Sequence, residues 1–153
     1  MRIGIVGNGT DKFTKAGKEK ALEIIAELLS PKGTVLVSGR SPAGGIDVWA
    51  EEIADSMKIE KSIWPPVTKS WSGYHGFKYR NKMIAKDSDI VLVIVVDKYP
   101  TEYRGKRFKI CYHCKKNDHV KSGACWTAKY AQTLGKPVYW HIVVNYEDGN
   151  NEQ

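Results

Sequence analysis

Cys111, Cys114, His119 and Cys125 follow one another with the spacing C-x2-C-x4-H-x5-C. Two cysteines separated by two residues can turn both thiolates toward one point, and a tetrahedral zinc ion takes Cys and His ligands in such clusters. Cys111 and Cys114 are the firm pair. His119 and Cys125 are the candidates that complete the set, with His113 as the alternative ligand. Zinc held by four protein ligands has no open coordination position, so the expected role is structural, folding residues 104–121. Free buried thiols or a redox C-x-x-C pair are the plainer alternatives. All 3 cysteines fall between 111 and 125, unlike a secreted disulfide framework. A reducing, cytoplasmic compartment is expected.

A second kind of chemistry is suggested by segments rich in small residues: Gly7-Asn8-Gly9-Thr10, Ser38-Gly39-Arg40-Ser41-Pro42-Ala43-Gly44-Gly45, and Ser122-Gly123-Ala124-Cys125-Trp126-Thr127. A turn of this kind opening a helix leaves backbone N–H groups bare, and phosphates bind there. Their spacing matches neither the dinucleotide fingerprint nor the P-loop, and each alone is explained by tight-turn chemistry. Together they point to a nucleotide-like small molecule. The candidate binding residues are Gly7, Asn8, Gly9, Ser38, Gly39, Arg40, Gly44, Gly45, Ser122, Gly123, Ala124 and Thr127.

These turns need a scaffold that brings them together. Residues 2–6, 34–38, 59–63, 90–96 and 137–144 read as strands, and 90–96 is continuously apolar, as in a central parallel strand. Residues 13–29, 45–57, 74–85 and 122–134 have helical spacing. Thr10 or Asp11 can cap the first helix, and Pro31 with Gly33 ends it. Strands alternating with helices predict an α/β fold, a doubly wound parallel sheet of about five strands with right-handed crossovers. Ligands of such sheets sit beyond the carboxyl ends of the strands, where all these turns fall. One domain is expected over 1–145, with an insertion at 97–121 and a flexible tail at 146–153.

Ser38-Gly39 with Gly44-Gly45-Ile46-Asp47 and Ala50, Arg80-Asn81 ahead of Asp89-Ile90-Val91, and Ser122-Gly123 with Thr127 and Gly135-Lys136-Pro137-Val138 carry a resemblance. Over residues 2–144, apart from the insertion, the chain resembles the SLOG superfamily and within it the small, often phage-encoded YspA/YpsA-like branch. That superfamily includes the Lonely guy phosphoribohydrolases and the DNA-processing proteins. The resemblance implies a Rossmann-like domain that binds a nucleotide or nucleotide-derived ligand, often as a homodimer or higher homo-oligomer. It implies that Arg80 contacts the ligand and that Ser122, Gly123, Ala124 and Thr127 form its phosphate loop. Trp126 stands where the hydrolases keep glycine. Their catalytic glutamate is replaced here by Tyr130, preceded by Lys129. Neither a phenol nor an ammonium stabilises an oxocarbenium-like transition state as a carboxylate does. Asp47, near the start of the second helix, could substitute, so Asp47 and Arg80 are the catalytic candidates. Asp47 equally suits compensation of the helix dipole. Asp97 fits a plain strand-end polar residue better.

The formal net charge is +7, and residues 98–121 hold eight Lys or Arg against two acids. That segment is either a solvated surface or a rim attracting phosphates. Trp64, Trp71, Tyr74, Phe77 and Tyr79 lie among Lys69, Lys78 and Arg80, a mixture that can stack bases or simply pack a helix. Trp71 is the aromatic expected to be exposed. The longest apolar run is too short to span a bilayer, and the N-terminal residues read as a strand, not a signal peptide. Three functions follow: a nucleotide binder, for example a sensor; a nucleotide N-glycosidic hydrolase; or a nucleic-acid binder using the basic, zinc-stapled insertion.

Overall fold

The strands form one fully parallel sheet in the order β3-β2-β1-β4-β5. They are β1 (Arg2–Gly7), β2 (Val35–Ser38), β3 (Glu60–Ile63), β4 (Ile90–Val96) and β5 (Val138–Val143). Helices α1 (Lys15–Leu29), α2 (Ile46–Ser56), α3 (Phe77–Asp87) and α4 (Ala124–Thr133) connect them. This is the Rossmann-like order, with the switch point between β1 and β4. The computed structural model describes residues 1–147; the tail expected at 146–153 lies outside them except for Tyr146 and Glu147. No helix among the described residues is long and apolar enough to cross a membrane.

The apolar run of β4 divides by alternation, as a strand must. Leu92, Ile94 and Val96 pack with Ile25 and Leu29 of α1 and Ile46 and Trp49 of α2. Val91, Val93 and Val95 pack on the other face with Ile84 of α3 and Ala128 and Ala131 of α4. Cys111 and Cys125 belong to this second layer. The insertion at 97–121 therefore roots its thiols in the core, although its one strand-like feature is a bridge between Cys111 and Lys116.

Three element ends differ from the sequence expectation, each for a local reason. Helix α1 is capped by Thr14, whose hydroxyl accepts from the Gly17 N–H at 3.1 Å, not by Thr10 or Asp11. Those two residues fall in a short 3-10 turn, Thr10–Lys12. Buried Asn145 fixes the cap by accepting from the Thr14 amide at 2.8 Å. Helix α3 starts at Phe77, because the amides of Phe77 and Lys78 donate to the Ser70 and Trp71 carbonyls of the preceding loop. Helix α4 starts at Ala124, since the Ser122 hydroxyl accepts from the Ala124 amide at 3.1 Å. The far end of α3 is closed by the Lys136 ammonium, which donates to the carbonyls of Ala85, Lys86 and Ser88. A cation there also complements the helix dipole.

Candidate functional site

The ligand atoms of Cys111, Cys114, His119 and Cys125 all lie within 4.8 Å of one another. A tetrahedral zinc ion with Zn–N of about 2.05 Å and Zn–S of about 2.3 Å requires an N···S edge of roughly 3.5 Å. Cys125 Sγ stands 3.5 Å from His119 Nε2. The other ring nitrogen, Nδ1, is 2.7 Å from the Asp118 carboxylate, the outer-shell arrangement that orients a metal-binding imidazole. Burial pushes the Cys111 thiol up, but amides of Ser122, Cys114 and His113 and the His119 ring bring it down to about 7. Burial pushes the Cys114 and Cys125 thiols up. This cluster could hold a metal ion such as zinc. His113 is not part of it; the ring packs against Tyr112 and lines the neighbouring cavity.

That cavity, about 720 Å³, opens beyond the carboxyl ends of β1 and β4. Its floor carries Asp47, Arg80 and Asn81. Arg80 is 7% exposed. Nη1 donates to the Gly39 carbonyl at 2.8 Å and lies 3.5 Å from Asp47 Oδ2. Nε is buried without a partner, and Nη2 makes no hydrogen bond among the described residues. Phe77 lies under the guanidinium, its ring centre 5.3 Å from Cζ. Burial lowers the Arg80 pKa, and the Asp47 charge opposes that shift. Burial likewise raises the Asp47 carboxyl to about 6, against the pull of Arg80 and the Ser41 amide.

The turns contribute unequally. Gly7, Asn8 and Gly9 line the cavity, as do Ser122, Gly123, Ala124 and Thr127. Ser38, Gly39, Arg40, Gly44 and Gly45 stand outside the lining. In the second turn, Ser41 donates its amide to Asp47, Ala43 to the Ser41 hydroxyl, Gly44 to the Ser41 carbonyl and Ile46 to the Asn8 carbonyl. The amides of Ser41, Ala43, Gly44 and Ile46 in that turn are thus taken by protein acceptors. Arg40 turns away to pair with Glu51 at 2.7 Å. Gly44 and Gly45 hold φ of +70° and +76°, a region open to glycine. Gly39 works indirectly, by anchoring Arg80. The Asn8 side chain is also occupied, accepting from the Val96 amide at 3.0 Å and donating to the Lys121 carbonyl at 3.3 Å. The amides of Gly9 and Gly123 have no protein acceptor among the described residues.

The insertion supplies a wall that the sequence expectation treated only as a charged rim. Tyr99 and Tyr103 stack at 4.8 Å, and the Phe108 amide donates to the Tyr99 hydroxyl at 2.9 Å. Lys121 Nζ sits 5.1 Å from the ring centres of both Phe108 and Tyr112. Trp71 and Trp126 also line the cavity and meet edge-on at 5.0 Å; Trp71, the aromatic expected to be exposed, is 44% exposed. Tyr130 stacks on Trp126 and stands outside the lining. Asp97 accepts from the Asn145 amide at 2.8 Å, the structural role of a strand-end acid. Lys12 and the aromatic wall escaped the sequence reading, which held Lys121 only as part of the basic segment and Asn81 only beside Arg80. The position of Lys121 immediately before Ser122-Gly123 was the one available signal.

No family model matches the chain, and no curated protein matches it. Among solved structures, the Moco carrier protein of Chlamydomonas rheinhardtii superposes with a TM-score of 0.51 at 18% identity, over 91% of this chain and 74% of that one. DNA processing protein A from Helicobacter pylori, described for its single-stranded DNA binding mode, superposes with a TM-score of 0.54 at 19% identity, over 98% and 70%. Likeness at this level shows the fold, and both structures are Rossmann-like.

Proposed function

We propose that the chain binds a nucleotide or nucleotide-derived ligand in this cavity, as a member of the SLOG superfamily, with zinc as a structural ion in the Cys111, Cys114, His119 and Cys125 cluster. The observation that carries the reading is Arg80. A guanidinium this buried normally has its donors satisfied, yet Nε and Nη2 are without protein acceptors on the floor of a cavity reached by open turn amides. An anionic or carbonyl-bearing ligand would complete them. The small-molecule carrier and single-stranded DNA functions named for the structural neighbours are compatible with a site for an anionic ligand.

The test combines native mass spectrometry, to find bound metal and any co-purified small molecule, with calorimetric titration of AMP and ADP-ribose. Arg80→Ala should weaken binding at least about ten-fold, the loss expected for hydrogen bonds from a charged donor. Equal affinity in the variant refutes the assignment. A nucleic-acid binder would instead show binding that falls steeply with salt.

A second reading, N-glycosidic hydrolysis, is favoured by Asp47. Its carboxyl lines the cavity and is raised to about 6, within the range useful to a general acid or base at neutral pH. Release of free base from AMP or ADP-ribose, lost in Asp47→Asn, would establish it.

A further inference from the structure

Two features of the cavity lining repeat each other. At the end of β1, the open Gly9 amide is followed by Lys12, whose Nζ lies 4.9 Å from the Tyr103 ring centre. At the start of α4, the open Gly123 amide is preceded by Lys121, whose Nζ lies 5.1 Å from both Phe108 and Tyr112. Each turn offers one N–H and one ammonium propped on aromatic rings. The turns adjoin, because the Asn8 side chain donates to the Lys121 carbonyl at 3.3 Å.

Lys121 has no carboxylate partner among the described residues, and Lys12 has exposed Asp11 at 3.1 Å. An ammonium held over rings has lost part of its hydration, and it binds an anion more strongly than a free surface lysine does. Independent evidence for a ligand comes from Arg80, nine-tenths buried in the same lining with open donors.

We infer that these paired turns form two adjoining anion subsites that together accept a diphosphate, so that the ligand class is a nucleotide carrying a pyrophosphate group. The rings of the insertion and of Trp71 and Trp126 are left for its heterocycle. This inference rests on the proposed function and narrows it: a mononucleotide fills one subsite and leaves the other without its anion.

Calorimetric titration of the full, zinc-loaded chain with AMP, ADP and inorganic pyrophosphate at one ionic strength tests it. ADP is expected to bind at least about ten-fold more tightly than AMP, the gain of one charge-assisted contact, and pyrophosphate more weakly than ADP. The paired substitution Lys12→Ala with Lys121→Ala should bring the ADP-to-AMP ratio close to unity, and the corresponding pair of Lys→Arg changes should restore it. Thermal unfolding of each variant shows whether it is folded; if the alanine pair is not, Lys→Gln at the same positions must give the same loss of preference. Equal affinity for AMP and ADP in the unmodified chain overturns the inference but leaves the proposed function standing. So does an alanine pair that weakens both nucleotides by the same factor. Failure of AMP, ADP and pyrophosphate alike to bind overturns both.

Discussion

Adding one methyl group at Gly39, which stands outside the lining, should disable the cavity by displacing Arg80. A Cβ built there meets Arg80 Nη1, and it stands 2.9 Å from both Arg80 Cζ and Ile84 Cδ1. Ile84 is core and has no room to retreat. The guanidinium must therefore leave the Gly39 carbonyl, which it now reaches at 2.8 Å, and swing into the cavity. Overpacking a buried site costs about 1–3 kcal/mol, and the lost charge-assisted hydrogen bond is of similar size. For a domain of this length each kcal/mol lowers the melting temperature by about 2–4 °C, so Gly39→Ala should melt roughly 5–20 °C below the parent protein. Its affinity for AMP should fall at least about ten-fold, matching Arg80→Ala. Differential scanning calorimetry and isothermal titration read the two effects separately. A Gly39→Ala protein that binds AMP as the parent does, while Arg80→Ala does not, would refute the account of Gly39 as the anchor of Arg80.

The remaining predictions are as follows. Freshly purified protein should contain about one zinc per chain, as a site with three thiolates and one imidazole demands, and chelation should raise hydrogen exchange across 104–121; unchanged exchange would refute a structural metal. The Asp47 carboxyl is raised to about 6 from 3.8, so the native state keeps a proton that the unfolded chain releases. Its contribution is fully present below pH 3.8 and is lost as pH rises through about 6. Stability should therefore drop by about 3 kcal/mol across that window, a fall that Asp47→Asn removes; equal pH profiles in urea titrations would contradict it. Gly7→Ala places a Cβ against the Ile94 carbonyl and should prevent stable folding. At Gly123 the Cβ finds open space, so Gly123→Ala should melt within a few degrees of the parent.

The fold was legible because its signals are local and agree with one another. Residues 90–96 could only be a strand covered on both faces, and the small-residue turns could only follow strands. Cys111 and Cys114 were legible from spacing, whereas the choice of Cys125 over His113 required the packing of the insertion on α4. The second turn misled because a glycine-rich sequence shows where a backbone can bend but not where its amides point. Here Ser41, Ala43 and Gly44 bond within the turn or to Asp47. Lys12 and Lys121 were illegible for the opposite reason. They stand 109 positions apart in the numbering, and nothing along the chain reveals that a buried asparagine ties their turns together. The cap of α1 depends on the same kind of distant partner, Asn145.

The start of α4 has to serve two masters, and the structure shows how one short turn does so. Cys125 sends its thiol into the candidate metal cluster, and the Ser122 amide helps to lower the Cys111 thiol pKa. The Ser122 hydroxyl caps Ala124. What this turn has left for a ligand is the Gly123 amide and the Lys121 side chain. A phosphate loop of the usual kind relies on several amides; the loop proposed here has one of them turned to sulfur and has gained an ammonium propped on rings. Those rings, Phe108 and Tyr112, flank Cys111 in the insertion that the metal would hold. The same exchange explains why the basic segment is aromatic as well as charged: a lysine in open water is screened and mobile, whereas one seated between rings is fixed and partly dehydrated. The candidate metal cluster and the proposed ligand site are thus built from consecutive residues. An ion that orders residues 111–125 would also set the positions of Lys121 and Gly123.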